Sequence, residues 1–320
     1  MTTSQHQATS RDLPDPFGWL REIAQTRTEA GLRRRLCPRQ VGNTLLDLAS
    51  NDYQGLSRDP RVVGAAAAAA AAWGAGSTGS RLVTGSTALH GELELALAAL
   101  AGQPRALVFS SGYLANLGAV TALSGPGSLL VSDAHNHASI VDAARLSRAR
   151  VAVVGHLDVD AVATVLAQRR EERALVVTDA VFSVDGELAP LLALAQVCAE
   201  AGAGLLIDEA HSLGVLGPGG AGAAAAAGLS GVPGVVLTAT LSKALGAQGG
   251  AVLASADVVD HLVDAARPFI FDTALAPSSV GAALAAVRLL RAEPDRPARV
   301  RAIARRLHEA ASATDRKSVV

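Results

Sequence analysis

Short runs of Val, Leu and Ile recur along the chain at 106–110 (ALVFS), 128–133 (SLLVSD), 151–155 (VAVVG), 174–180 (ALVVTDA), 204–210 (GLLIDEA), 235–240 (VVLTAT) and 251–255 (AVLAS). Each is nearly continuous in apolar residues rather than alternating, the pattern of strands covered on both faces. Between them, 113–123, 137–148, 158–169 and 188–202 carry helical patterning. The alternation predicts an α/β fold in which a mostly parallel sheet is flanked by helices. On the N-terminal side, 16–35 (PFGWLREIAQTRTEAGLRRR) predicts an amphipathic helix with a basic end, and LLDLAS (45–50) a short strand. SNDYQGLSRDP then reads as a polar loop closing at Pro60. Two further helical segments occupy 278–313. The organisation expected is an N-terminal helix and strand over 1–50, a large α/β domain over 51–277, and the start of a smaller domain over 278–314.

Composition narrows the function classes. With 320 residues and a net charge of −1, the chain can bury a large core but has no overall field favouring nucleic acid or an anionic membrane. Cys37 and Cys198 form no disulfide framework and match no metal-binding spacing. The first residues lack the apolar core of a signal peptide, and Ala65–Ala72 is too short to cross a membrane. A cytoplasmic setting is the expectation. GAGSTG (74–79) has the spacing of a dinucleotide-binding turn, but it follows an alanine helix rather than a strand.

In open parallel sheets, ligands gather at the carboxyl ends of the strands. Nearly every predicted strand here ends in a polar group: Ser111, Gly112 and Tyr113; AHNHAS; VVTDAVFSVDG; DEAHS; and LSK. Asp208 can be read as a cap or as half of a buried ion pair, and Lys243 beside it as the other half. His135, His137, Asp208, Glu209 and His211 can also be read as metal donors, although the HExxH arrangement is absent and no metal site is the expectation. A third reading absorbs more of the pattern. SSGYLANLGAV places a turn at a helix start, where free N–H groups favour a phosphate, and Thr240 and Ser242 add hydroxyls beside Lys243. His137 offers a flat ring. Phosphate cradle, amine, carboxylate and ring together suit pyridoxal phosphate, whose aldehyde takes a lysine and whose ring nitrogen takes an acidic partner.

The ordered set SNDYQGLS, GAGSTGSRLVTGSTALHGELE, SSGYLANLGA, NHAS, VFSVDGELAPL, IDEAHSLGVLG, TLSKALGAQGG and RPFIFDTALAP resembles the α-oxoamine synthases, from about residue 17 to about residue 313. These are fold-type I pyridoxal-phosphate transferases. The resemblance implies that Lys243 binds the cofactor aldehyde and then removes the amino-acid Cα proton, that Asp208 pairs with the ring nitrogen, and that His137 stacks over the ring. It places His211 and Ser183 near the phenolic oxygen, and Gly112, Tyr113, Thr240 and Ser242 at the phosphate. Arg33 or Arg34 would meet the substrate carboxylate, a solvated basic helix end being the other reading, and Asn51 would stand near the substrate. A homodimer with shared active sites is implied, Thr273 reaching the partner's phosphate.

The reaction implied is decarboxylative condensation. Within the family the motifs lie nearest to members that join L-alanine to pimeloyl-CoA, or to a pimeloyl carrier protein, in biotin synthesis. The alternatives are relatives using glycine or serine with another acyl-CoA, or an inactive truncated subunit. Family members carry a further small α/β domain after the segment matching 278–313, with an arginine-rich strand. The expectation is therefore a fold whose C-terminal small domain is largely missing, with weak activity and open apolar faces. The tail DRKSVV (315–320) can be encoded by a common sequencing-adapter string, so it reads as an artefact joined to a gene cut near Thr314.

Overall fold

The structure, a computed structural model, describes residues 15–313. The tail 315–320 lies outside the described residues. The chain divides into two compact units, Met1–Ala49 and Ser50–Val320.

In the first unit a helix runs over Leu20–Glu29. It is shorter than the 16–35 expected, because Gly31 adopts a left-handed conformation (φ 68°), a conformation that commonly ends helices. Arg33 and Arg34 therefore lie past the helix rather than on its last turn. The strand expected at 45–50 is absent from the described residues: the segment is irregular, and an extended stretch with no neighbour to pair with has no ladder to hold it.

The second unit is built on a seven-stranded sheet: β1 (Arg105–Phe109), β2 (Ser128–Asp133), β3 (Arg150–Val154), β4 (Arg173–Asp179), β5 (Gly204–Asp208), β6 (Val235–Thr240) and β7 (Gly250–Ala254). Their order across the sheet is β1-β7-β6-β5-β4-β2-β3. β2, β3, β4, β5 and β6 pair in parallel. β7 is antiparallel to both β1 and β6. The reason lies in the connections. Each parallel step is spanned by a crossover, most of them helical, whereas β6 and β7 are joined only by the loop 241–249, too short for a crossover. That loop carries Lys243.

Successive residues of the strands inside the sheet enter opposite cores, whereas Val151 and Val153 of the edge strand β3 face solvent. On β5, Leu205 and Ile207 face one core and Leu206 the other; on β2, Leu129 and Val131 oppose Leu130. All six are at most 1% exposed. Each buried Leu, Val or Ile contributes about 1.5–3 kcal/mol relative to exposure. Helices 112–123, 138–147 and 256–265 cover one face, and 88–101, 159–167, 191–200 and 277–292 the other. The alanine run forms helix Pro60–Trp73, started by Pro60 and capped by Asp59, whose Oδ1 accepts from Arg61 N at 2.9 Å. GAGSTG follows this helix and leads to a bridge between Ser80 and Thr273, so it opens no helix after a strand. In the last described helix, 296–313, Ile303 and Leu307 are exposed. Among the described residues, no helix is long and apolar enough to cross a membrane.

Candidate active site

β4, β5 and β6 end side by side, and their carboxyl ends open onto a cavity of about 270 Å³. Its lining includes Ser111, Gly112, Asn116, His137, Asp179, Asp208, His211, Thr240, Ser242 and Lys243. Asp208 is the last residue of β5 and Thr240 the last of β6. His137 caps helix 138–147, and Ser111 caps helix 112–123 by accepting from Leu114 N at 3.2 Å. Two helix starts thus face the carboxyl edge of the sheet, as the strand–turn–helix pattern requires.

The Lys243 amine is half-buried, its Nζ 2.7 Å from Nε2 of His211. Burial draws the amine below the usual lysine value, against the opposing pull of Asp208 and Asp179. His211 is lowered to about 4, first by burial and then by the charges of Lys243 and His137. Nδ1 of His211 meets the Tyr53 hydroxyl at 2.7 Å. Asp208 is buried, with each oxygen accepting one hydrogen bond and capacity left for another donor: Oδ2 accepts from Asn116 Nδ2 at 2.6 Å and Oδ1 from Ala210 N at 2.8 Å. Asn116 is itself fixed by Ser139 and by Thr238.

Asp179 stands at the position paired with Asp208 on the neighbouring strand. It is 4% exposed, and its Oδ1 has no hydrogen-bond partner. Burial first, and then the charge of Asp208, push its carboxyl far above the ordinary carboxylate range. On the phosphate side, Thr240 Oγ1 and Ser242 Oγ are 2.7 Å apart, beside Gly112 at the helix start.

The structure brings together most of the residues expected from the sequence: Lys243, Asp208, His137, His211, Gly112, Tyr113, Thr240 and Ser242 all line this one cavity. Asn51 does not line it; its Oδ1 accepts from the Tyr53 hydroxyl at 3.1 Å, and that hydroxyl in turn meets His211 of the cavity wall. Ser183 does not line it. It is exposed in a turn closed by backbone bonds between Phe182 and Glu187 and between Gly186 and Phe182. Thr273 is exposed beside Ser80 and lines a separate small cavity. Arg33 and Arg34 belong to the first unit, where Arg33 donates to Thr28 Oγ1 at 3.4 Å.

Of the five donors of the alternative metal reading, His137, Asp208 and His211 line the cavity, and the other two are engaged elsewhere. Glu209 accepts from Ser212 and from the N–H groups of Ala223 and Ala224, while His135 stacks on His156 at 4.0 Å. Among the described residues, no three His, Cys, Asp or Glu side chains are grouped so as to hold a metal. Tyr53, Asn116, Ser139 and Asp179 belong to the site in the structure without being among the residues expected from the sequence. Asp179 had a signal, since VVTDA ends a strand beside the one ending in Asp208. Asn116 lies one helical turn beyond Gly112 and shares its inward face. A larger groove of about 800 Å³ between 188–196, 216–227 and Arg301 is lined almost wholly by apolar residues and offers no nucleophile or acid.

These residues fit pyridoxal phosphate. The cavity offers an amine able to take an aldehyde, a buried carboxylate, a helix start with free N–H groups and two hydroxyls, and an orphaned carboxyl oxygen that awaits a partner.

Comparison with known proteins agrees. The family model for class I and II aminotransferases matches residues 43–317. An 8-amino-7-oxononanoate synthase of Mycobacterium sp. (strain KMS) is 62% identical over 288 residues, covering 90% of this chain and 75% of that one. A serine palmitoyltransferase solved as its pyridoxal-phosphate internal aldimine superimposes with a TM-score of 0.86 at 33% identity, over 93% of this chain and 78% of that one. The structure of 8-amino-7-oxononanoate synthase from Francisella tularensis gives a TM-score of 0.73 at 29% identity, over 87% and 78%.

Proposed function

The chain belongs to the class I and II aminotransferase family, and we propose that within it this chain is an 8-amino-7-oxononanoate synthase. It joins L-alanine to pimeloyl-CoA, or to a pimeloyl carrier protein, releasing the thiol and carbon dioxide. The observation that carries the reading is the meeting of the Lys243 amine and the Asp208 carboxylate in one cavity at the ends of adjacent strands.

Bound pyridoxal phosphate supplies an aldehyde for an amine and a ring that delocalises the electrons of a carbanion. The chain's own residues do the rest. Asp208, held by Asn116 and Ala210 N–H, would receive the ring nitrogen. Gly112, Tyr113, Thr240 and Ser242 would hold the phosphate. His137, fixed by its hydrogen bond with Ser139, would cover the ring. Burial keeps Lys243 Nζ closer to its neutral form, so that it can bind the aldehyde and later carry the proton from Cα of alanine. Asn51 would stand near the substrate. The protein works as a cytoplasmic homodimer, with Thr273 directed to the partner's site. Exposed Phe271 and Thr273 on one segment support this.

The test is release of CoA from pimeloyl-CoA in the presence of alanine, compared with glycine and serine. Purified protein given pyridoxal phosphate should show a visible absorbance band that Lys243→Ala abolishes, and the same variant should lose more than about 100-fold in turnover. A colourless wild type, or a preference for glycine or serine, would refute the reading.

A further inference from the structure

Four side chains from three parts of the second unit form an unbroken line of hydrogen bonds into the cavity. Asn51 Oδ1 lies 3.1 Å from the Tyr53 hydroxyl, which lies 2.7 Å from His211 Nδ1. His211 Nε2 lies 2.7 Å from Lys243 Nζ. The protons available decide the direction of the line. An amide oxygen can only accept, a phenol has one proton to give, and a neutral imidazole has one. Tyr53 therefore gives its proton to Asn51 and is left able only to accept from His211. Nδ1 of His211 then carries the ring proton, and Nε2 is bare and accepts from the Lys243 amine. In the reverse arrangement Asn51 Oδ1 has no proton to accept, and Nε2–H points at the lysine.

We infer that Tyr53, anchored by Asn51, is a positioning residue that holds His211 in its Nδ1–H tautomer and so presents a bare nitrogen to the Lys243 amine. The other groups around the ring agree. Burial raises the Tyr53 phenol, so it keeps its proton, and His211, lowered to about 4, is neutral at physiological pH. Among the described residues Tyr53 is the partner of Nδ1, so the tautomer is set from that side by Tyr53 and from the Nε2 side by Lys243. The consequence falls on the lysine. A bare Nε2 can accept from the ammonium as well as from the amine, whereas Nε2–H would oppose the ammonium. The line therefore tempers the drop in lysine basicity that burial imposes.

The inference deepens the proposed function, because it assigns the proton partner of the same lysine. Its test reads the ring directly. In the full chain without cofactor, labelled with ¹⁵N-histidine and assigned by difference from His211→Gln, His211 should show a protonated Nδ1 and a bare Nε2. Tyr53→Phe keeps the ring and removes the acceptor, and should move the tautomer toward Nε2–H. Asn51→Leu should do the same through an intact Tyr53, while Asn51→Asp, which keeps an acceptor, should match the wild type. The pH midpoint for capture of pyridoxal phosphate by Lys243, followed by absorbance, should fall by about 0.5–1 unit in Tyr53→Phe. An Nε2–H ring in the wild type, or an unchanged tautomer in either Tyr53→Phe or Asn51→Leu, would overturn the inference. If instead the tautomers behave as stated but alanine and pimeloyl-CoA yield no CoA, the functional reading fails and this one stands.

Discussion

At the scale of single residues, the site sets two carboxyl groups against each other at matched positions on adjacent strands. Asp208 has its oxygens engaged by donors, whereas Asp179 has one oxygen with none. Their environments separate their roles: the first accepts hydrogen bonds, and the second is held toward its protonated form by burial. A consequence for stability follows. Above the ordinary carboxylate pKa near 3.9, the unfolded chain has lost a proton at Asp179 that the folded chain keeps, so this group's contribution falls as pH rises toward neutrality. His211 works in the opposite sense. Between its folded value of about 4 and the ordinary value near 6.5, the unfolded chain binds a proton that the folded chain does not, so stability rises with pH over that window. Above about pH 6.5 the His211 contribution is flat and, of the pair, only the Asp179 slope remains. Asp179→Asn should therefore gain in urea midpoint relative to wild type between pH 5 and pH 7.5. A constant difference across that range would show that the Asp179 carboxyl is not the titrating group. From the sequence, Asp208 stood out because a histidine follows it in DEAHS. Asp179 was legible only as the end of a strand, since its burial and missing partner depend on which strand lies beside it.

At the scale of elements, the strands and the helices between them were readable because apolar runs and helical periods leave local marks. The 128–133 and 235–240 strands were placed to the residue. Less legible was the direction of β7. Its apolar run looks like any buried strand, and only the short 241–249 connection distinguishes it. That reversal matters for function. It brings Gly250, the first residue of β7, against the turn that starts helix 112–123. A Cβ on Gly250 would fall 2.5 Å from Gly112 N and also onto the carbonyl oxygen of Ser111. The helix start proposed to hold the phosphate is thus seated directly on the strand that follows the lysine loop. Gly250→Ala should displace the turn, cost about 1–3 kcal/mol in folding stability, and weaken pyridoxal-phosphate binding more than tenfold. Thermal melts with and without cofactor check it: the variant's stabilisation by cofactor should shrink, whereas a purely structural cost would lower both melts equally.

At the scale of the whole molecule, local pattern carries least information, because partners and distant segments leave no periodicity. The expected 45–50 strand failed for this reason: an apolar hexamer can be read as a strand, but only a neighbour makes it one. The same reasoning bears on the proposed dimer. The 80–85 turn is joined to the 271–275 segment by the Ser80–Thr273 bridge and by the bond from Ala274 N to Gly79 O at 2.9 Å. Across these two segments Leu82 is 51% exposed, Val83 78% and Phe271 69%. Three large apolar side chains on bridged segments are more than scattered exposure, and they flank the threonine proposed to serve the partner. Replacing Val83 and Phe271 together with Asp adds two charges that a solvated face tolerates but an apolar interface does not. Because both side chains are already exposed, the subunit should fold as before, its melt lowered only by the lost partner and cofactor binding. The dimer dissociation constant should rise by about 100-fold or more, visible as monomer in sedimentation at micromolar protein. Cofactor affinity should drop with it, since neither residue lines the Lys243 cavity and the loss could come only through the missing partner. A variant that stays dimeric, or a monomer that binds pyridoxal phosphate as tightly as wild type, would separate this face from the site and remove the reason for assigning Thr273 to it.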